Sequence, residues 1–262
     1  MTVVSHSQNI DKYNLVERKK IFLLGEIHDN PNGHNLRLDF VMQLIREGQK
    51  PIIAMEQFDR ENQSSLDLAL SSCRDVDCVL KAAGTPGWEW RFYEPYVRMA
   101  IDKQVTLIAA NTSNDDIRRV ITNGFAAIYN SSFFNKYNLN QLPASLVSAQ
   151  AKSIQDGHCN MLPSQAIIHM VQGQIARDIW MASVIDGLDA KTIILLAGNG
   201  HVRKDAGVFQ WLSQKSRDRT EVHGYTEQSE KNDLDWFDIT HVMSKIDRED
   251  PCLEFQKHLN NK

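Results

Sequence analysis

The chain has 262 residues, a net charge of −4 and a pI near 6.1, and its basic residues form no extended cluster that would neutralise phosphates, which argues against a nucleic-acid protein. Arg18, Lys19 and Lys20 stand without support elsewhere. Hydrophobic residues at 42% suffice for a sizeable core, 24% charged residues give an ordinary soluble surface, and no apolar run is long enough to cross a membrane.

The length fits one large domain, read here as a single α/β unit over 1–262 with a helical cap or insertion around 130–160. The N-terminal stretch MTVVSHSQNIDKYNLVERKK lacks the apolar core and cleavage site of a signal peptide. That reads as cytoplasmic, although a mature chain that had lost its leader would read the same.

Apolar, β-branched runs at Ile21–Leu24, Pro51–Met55, Val105–Ala110 and Thr192–Ala197 predict strands, with weaker ones near Glu221–Tyr225 and Phe237–His241. Between them the spacing is helical. Leu36, Phe40, Leu44 and Ile45 give a first helix its apolar face, and Gly48 stops it. Helices are expected over 60–72, 93–103 and 114–121, the last with Asn114 as N-cap and Asp115 and Asp116 in its first turn. The longest should start after Pro163 and run to about Asp186, with Ile167, Val171, Ile175, Ile179 and Ala182 on its buried side. Thr226–Asp235 is strongly polar and reads as a solvated loop, and the chain from Asp247 onward reads as a frayed tail. Cys73 and Cys78 are close enough in sequence for a short disulfide loop or two free thiols, and neither they nor Cys159 and Cys252 match a zinc or haem-attachment pattern.

Strand–helix alternation of this kind predicts an α/β fold, a largely parallel sheet flanked by helices. In such sheets ligands bind beyond the carboxyl ends of the strands. Four strong strands end there in polar groups: Glu26 and His28, Glu56, Asn111, and His201 in a Gly-rich turn. Residues two apart on an extended chain share a face, so Glu26 and His28 can point together. Two carboxylates and two imidazoles at one edge would serve as divalent-metal ligands or as an acid–base set. Each also has a structural reading, as cap, salt bridge or turn residue; the convergence is what favours function. His34 reads as a surface residue on the first helical turn. The stretch GNGHVR is no dinucleotide fingerprint, because its third glycine would fall on Arg203, and no P-loop or GxSxG elbow occurs.

The ordered segments LLGEIHDN, AMEQFDRENQ, WEWRFYEPYVRMA, IAANTS, HCNMLP, QGQIARDIWMAS and LLAGNGHVRKDAGV resemble the ChaN family of haem-binding, iron-regulated proteins, related to the Tiki, TraB and erythromycin esterase proteins. The resemblance runs from about Ile21 to Trp211. It implies haem as cofactor and a role in haem or iron uptake, often as an envelope lipoprotein, though no lipidated cysteine is visible. It equally implies a hydrolase alternative, since both GxxH elements, Gly25–His28 and Gly198–His201, and Glu56 are present. In that alternative a metal held by Glu26, His28, Glu56 and His201 activates water, with Glu26 or Glu56 as base. For haem, the candidates are Tyr93 and Tyr96 beside Trp88 and Trp90, His158 near Cys159 and Met161, and Arg177 for a propionate unless it pairs with Asp178. The expected partners are haem or another small molecule and no nucleic acid; a homodimer stays open. An iron-linked role outside the cytoplasm fits best.

Overall fold

The computed structural model describes residues 21–228, 235–250 and 252–253. Six strands form one parallel sheet: β1 (Ile21–Leu24), β2 (Ile52–Asp59), β3 (Thr106–Asn111), β4 (Ile193–Leu196), β5 (Thr220–Glu227) and β6 (Ile239–Met243). Their order is β3-β2-β4-β1-β5-β6. Helices α1 (Pro31–Arg46), α2 (Gln63–Ser72), α3 (Val76–Ala83) and α4 (Glu94–Lys103) follow β1 and β2; α5 (Asn114–Asn123), α6 (Ser131–Lys136), α7 (Ala144–Gly157) and α8 (Ser164–Gly187) lie between β3 and β4. Short helices α9 (Asn199–Val202) and α10 (Gln214–Arg217) precede β5.

The central strands are apolar on both faces, as a sheet covered on both sides requires. Ile21 and Leu23 pack with Ile193, Leu195 and the α5, α7 and α8 residues Ile117, Ile154 and Ile179. Phe22 and Leu24 turn the other way, against Phe40, Leu44, Val79 and Tyr96 of α1, α3 and α4. Each core is built from alternate residues of the same strand.

The chain departs from sequence expectation in several places. The cap of α5 is Ser113, whose side chain accepts from the Asp116 amide, one residue before the expected Asn114. Ser113 keeps extended backbone (ψ 157°), which an N-cap needs, while Asn114 is already helical. Helix α3, begun by an Asp75 cap, falls in a stretch with no sequence assignment. Thr226 and Glu227 are buried at the end of β5 and not in a loop; the rest of that polar stretch, 229–234, lies outside the described residues. The weak last strand sits two residues later than expected. Part of the expected tail is held: Arg248 pairs with Asp29 and Glu227, and Cys252 is bonded to Cys159. Cys73 and Cys78 form a second disulfide. The N-terminal residues 1–20, including the Arg18–Lys20 run, lie outside the described residues, as do 251 and 254–262.

Candidate functional site

Strands β2, β4 and β1 are neighbours, so the residues that follow them emerge side by side at the carboxyl edge. The β1 turn is shaped by Gly25, where an added Cβ would lie 2.1 Å from Asn199 Oδ1. Asn199 in turn bridges to the Tyr225 backbone, donating to its carbonyl at 2.6 Å and accepting from its amide at 3.1 Å, and its own amide donates to the Glu26 carbonyl. The β1 and β4 turns are thus one hydrogen-bonded unit. At Gly198 an added Cβ would stand 3.1 Å from His28 Nε2, so this glycine makes room for the imidazole. Pairing of β2 becomes irregular just after Met55, and Glu56 leaves the ladder there.

The four sheet-edge residues converge, but as two separately neutralised sets. In the first, buried Glu26 accepts from His28 Nδ1 at 2.6 Å, from the Tyr93 hydroxyl at 2.5 Å and from Gln57 at 3.4 Å, and it forms an ion pair with Arg37. Burial pushes its carboxyl up, but the Arg37 guanidinium and the His28 hydrogen bond outweigh it and hold the pKa at about 2. Arg37 also donates to His34 Nδ1 at 2.8 Å, which leaves His34 Nε2–H to donate to the His28 carbonyl at 2.9 Å. His34 is therefore buried and neutral, not a surface residue: burial and Arg37 lower its pKa to about 4.

In the second set, Glu56 accepts from the Gly198 amide at 2.8 Å and lies 3.4 Å from His201 Nε2. Opposite, His201 Nδ1 donates to Asp178 Oδ1 at 2.6 Å, and Asp178 Oδ2 accepts from Gln150 at 2.9 Å. Burial disfavours the imidazolium, yet the two carboxylates raise its pKa to about 10. Burial likewise opposes ionised Glu56, whose pKa falls to about 2 beside His201. Asp178 moves the other way, upward, because burial and the nearby Glu56 charge outweigh its hydrogen bond to His201. Among the described residues no group of three or more His, Cys, Asp or Glu side chains is arranged to hold a metal ion. Glu26 and Glu56 are instead paired with Arg37 and His201.

The other candidates are dispersed. Tyr93 and Tyr96 are fully buried; Tyr93 donates to Glu26, while burial pushes the Tyr96 hydroxyl up to about 12. His158 ends α7, half-buried, with Nδ1 donating to the Ile154 carbonyl. Arg177 does not pair with Asp178. It donates to Asn114 at 2.8 Å, half-buried at the rim, and lies within electrostatic reach of Glu56 and Asp59.

An iron porphyrin needs a lone-pair donor at an opening and a flat apolar neighbour. His28 meets both conditions. Its side chain is 53% exposed, its Nδ1 is committed to Glu26, and the Trp88 ring meets it edge-on at 5.2 Å. A carboxylate on Nδ1 fixes the ring's orientation and directs Nε2 outward, as in metal-bound histidines generally. Burial opposes a charged ring, but Glu26 and Glu56 raise its pKa, so a metal at Nε2 competes with a proton. The residues present therefore fit the group.

Arg37, His34, Asp178 and Gln150 were not among the site residues expected from sequence. Arg37 carried a signal: it lies three, four and seven residues before Phe40, Val41 and Leu44, on the buried face of α1. Asp178 likewise falls on the stripe of Ile175, Ile179 and Ala182.

Among solved structures, that of Campylobacter jejuni ChaN, described as showing cofacial haem binding, aligns over 85% of this chain and 87% of that one, at 20% identity and a TM-score of 0.66; the two share a fold. A mutant of the erythromycin esterase EreC in its open conformation aligns over 86% and 76% at 14% identity and a TM-score of 0.49. The type III effector HopBA1 aligns over 87% and 88% at 13% identity and a TM-score of 0.48. No curated protein sequence matches the chain. Residues 13–212 match the family model described as haem-binding uptake, Tiki superfamily, ChaN, and with most of its length inside that match the chain belongs to the ChaN family.

Proposed function

We propose that this protein binds haem at the carboxyl edge of its sheet and serves in haem or iron uptake or handling. One observation carries the reading: a half-exposed imidazole, His28, oriented through Nδ1 by a buried carboxylate and flanked by the Trp88 indole. His28 Nε2 would hold the iron, and Arg177 at the rim would meet a propionate. When bound, haem supplies a coordination centre for iron chemistry. The chain's own part is to orient His28 through Glu26 and wall the site with Trp88. Burial opposes the imidazolium, but Glu26 and Glu56 raise the His28 pKa, so ligation would displace a proton from Nε2. Tyr93 acts behind it, as a second donor holding Glu26. Tyr96 and His158 have no direct role in this reading. The chain is read as one α/β unit with α6 and α7 as its cap. The haem bound by the C. jejuni relative supports the ligand, and two disulfides support an oxidising compartment such as the periplasm.

A second reading is favoured by the other half of the site. His201, held as an imidazolium between Glu56 and Asp178, is an acid poised near the His28 imidazole, the pairing that acid–base hydrolysis requires. One titration separates the readings. Haemin added to purified protein should give a saturable Soret shift that is lost in His28→Ala, weakened in Arg177→Ala and kept in His201→Gln. Absence of any saturable shift in the wild type removes the haem reading and brings hydrolysis forward.

A further inference from the structure

The segment after β6 lies against the β1 turn and the end of β5, beside this site. The Ser244 carbonyl accepts from Asn30 at 3.2 Å, and the Ile246 amide donates to Glu227 at 3.4 Å. Arg248 then reaches Glu227 at 2.7 and 2.9 Å and Asp29 at 3.0 Å. Asp29 is the residue next to His28, so the segment is anchored beside the candidate ligand. Four residues beyond Arg248, Cys252 is bonded to Cys159 in the turn between α7 and α8.

That turn overhangs the edge. Helix α8 runs antiparallel to the strands, since its C-terminal end leads into the start of β4, and Asp178 meets His201 at the carboxyl edge. The part of α8 before Asp178, rising about 1.5 Å per residue, carries the helix start roughly 20 Å beyond the sheet. The α7–α8 corner is tight: Cys159 and Asn160 both have φ of 58°, a left-handed conformation that L side chains seldom adopt. The disulfide grips the chain at this bend. Both cysteines are half-buried, within reach of a thiol reagent.

We propose that residues 244–250 and Cys252 form a strap from the β1 turn to the overhanging helical hairpin, that it restricts entry to the His28 site, and that reduction of Cys159–Cys252 opens it. The gating of haem rests on the reading of the site given above. The chemistry is exchange with a dithiol. A thiolate attacks one sulfur of the bridge to give a mixed disulfide, and the second thiol resolves it. The chain is left with two thiols, while the dithiol loses two electrons and two protons and becomes a disulfide. The Arg248 ion pairs, partly solvated, remain as the weaker anchor.

The test uses the full chain. Amide hydrogen exchange over 25–30 and 157–164 is measured without ligand in wild type, dithiothreitol-treated wild type, Cys252→Ser and Arg248→Ala, with Cys73→Ser/Cys78→Ser as the control for the other bridge. Stopped-flow absorbance then follows haemin association with each. Exchange and haemin association should both be several-fold faster after reduction and in Cys252→Ser, and unchanged in the control. Unchanged exchange in both Cys252→Ser and Arg248→Ala overturns the strap. Faster exchange with equal haemin rates overturns the gate. Faster exchange with no haemin binding by any form upholds the opening of the strap and removes the haem reading instead.

Discussion

Glu26 and Glu56 are both buried at the ends of strands that flank β4, and each lies beside one cation; the cations differ in kind. Arg37 beside Glu26 is a guanidinium that stays charged at any pH the fold will meet, and burial is overcome by Glu26 and nearby tyrosines in raising its pKa further. His201 beside Glu56 can lose its proton, and it is shared with Asp178. One carboxylate is therefore locked into an anionic, acceptor-only state and can orient His28 under all conditions. The other belongs to a set whose charge depends on pH. Anchoring and proton handling are divided between two halves of one edge.

Removing the fixed cation should have the largest effect. Arg37→Met strands a buried carboxylate, at a cost of about 3–5 kcal/mol by urea unfolding, and Glu26→Gln in the same chain should restore much of that loss. Failure of the second change to rescue the first would mean that Arg37 acts through packing and not through Glu26.

The titratable half should respond to pH instead. His201 has its pKa raised from 6.5 to about 10, so its contribution is complete below 6.5 and lost as pH rises toward 10. Glu56, lowered from 4.5 to about 2, contributes above 4.5 and loses that contribution as pH falls toward 2. Asp178, raised from 3.8 to about 6, works in the opposite sense and costs stability as pH rises between those values. On the acid side the Glu56 and Asp178 contributions nearly cancel, so the alkaline flank, set by His201, carries the larger net loss. Thermal melts of His201→Gln should lose the alkaline limb, while Glu26→Gln/Arg37→Met should keep it. An unchanged alkaline limb in His201→Gln would assign that limb elsewhere.

Tyr93→Phe removes one hydrogen bond to a charged group and should cost about 1.5 kcal/mol in denaturant unfolding while leaving the haemin Soret shift in place. Loss of the shift would make Tyr93 more than a support for Glu26. The smallest change in stability is expected of His28→Ala, within about 1 kcal/mol because the ring is half exposed, although it should abolish the haemin signal. A large loss of stability there would recast His28 as structural.

Much of this arrangement was legible in the sequence. Strand ends are where an apolar run meets a polar residue, so Glu26, His28, Glu56 and His201 announce themselves locally. What was hidden is the partner of each. Arg37 and Asp178 lie on helices, 11 residues after Glu26 and 23 before His201, and helical charges ordinarily face solvent. Their burial follows only once the helix is docked over the sheet edge. The same limit explains the tyrosines. An aromatic-rich segment signals burial, but Tyr93 and Tyr96 are enclosed so fully that they face Arg37 and Glu26 instead of an opening. Thr226 and Glu227 look like loop residues because their polarity is answered by distant partners, Arg248 among them.

The place of β4 has a consequence for how the molecule comes into being. Ile193 is in register with both Ile21 and Ile52, so β1 and β2 do not pair with each other and are joined in the sheet through a strand that follows β2 by about 140 residues and β1 by about 170. Until that strand emerges from synthesis and inserts, the sheet has an open slot at its centre, with Glu26 and Glu56 on opposite banks. The pairing is long-range and hence slow to form. Gly198 and His201 arrive on the same stretch of chain that fills the slot. Completion of the sheet and assembly of the candidate site are therefore a single late step, and a nascent or truncated chain ending before β4 lacks both.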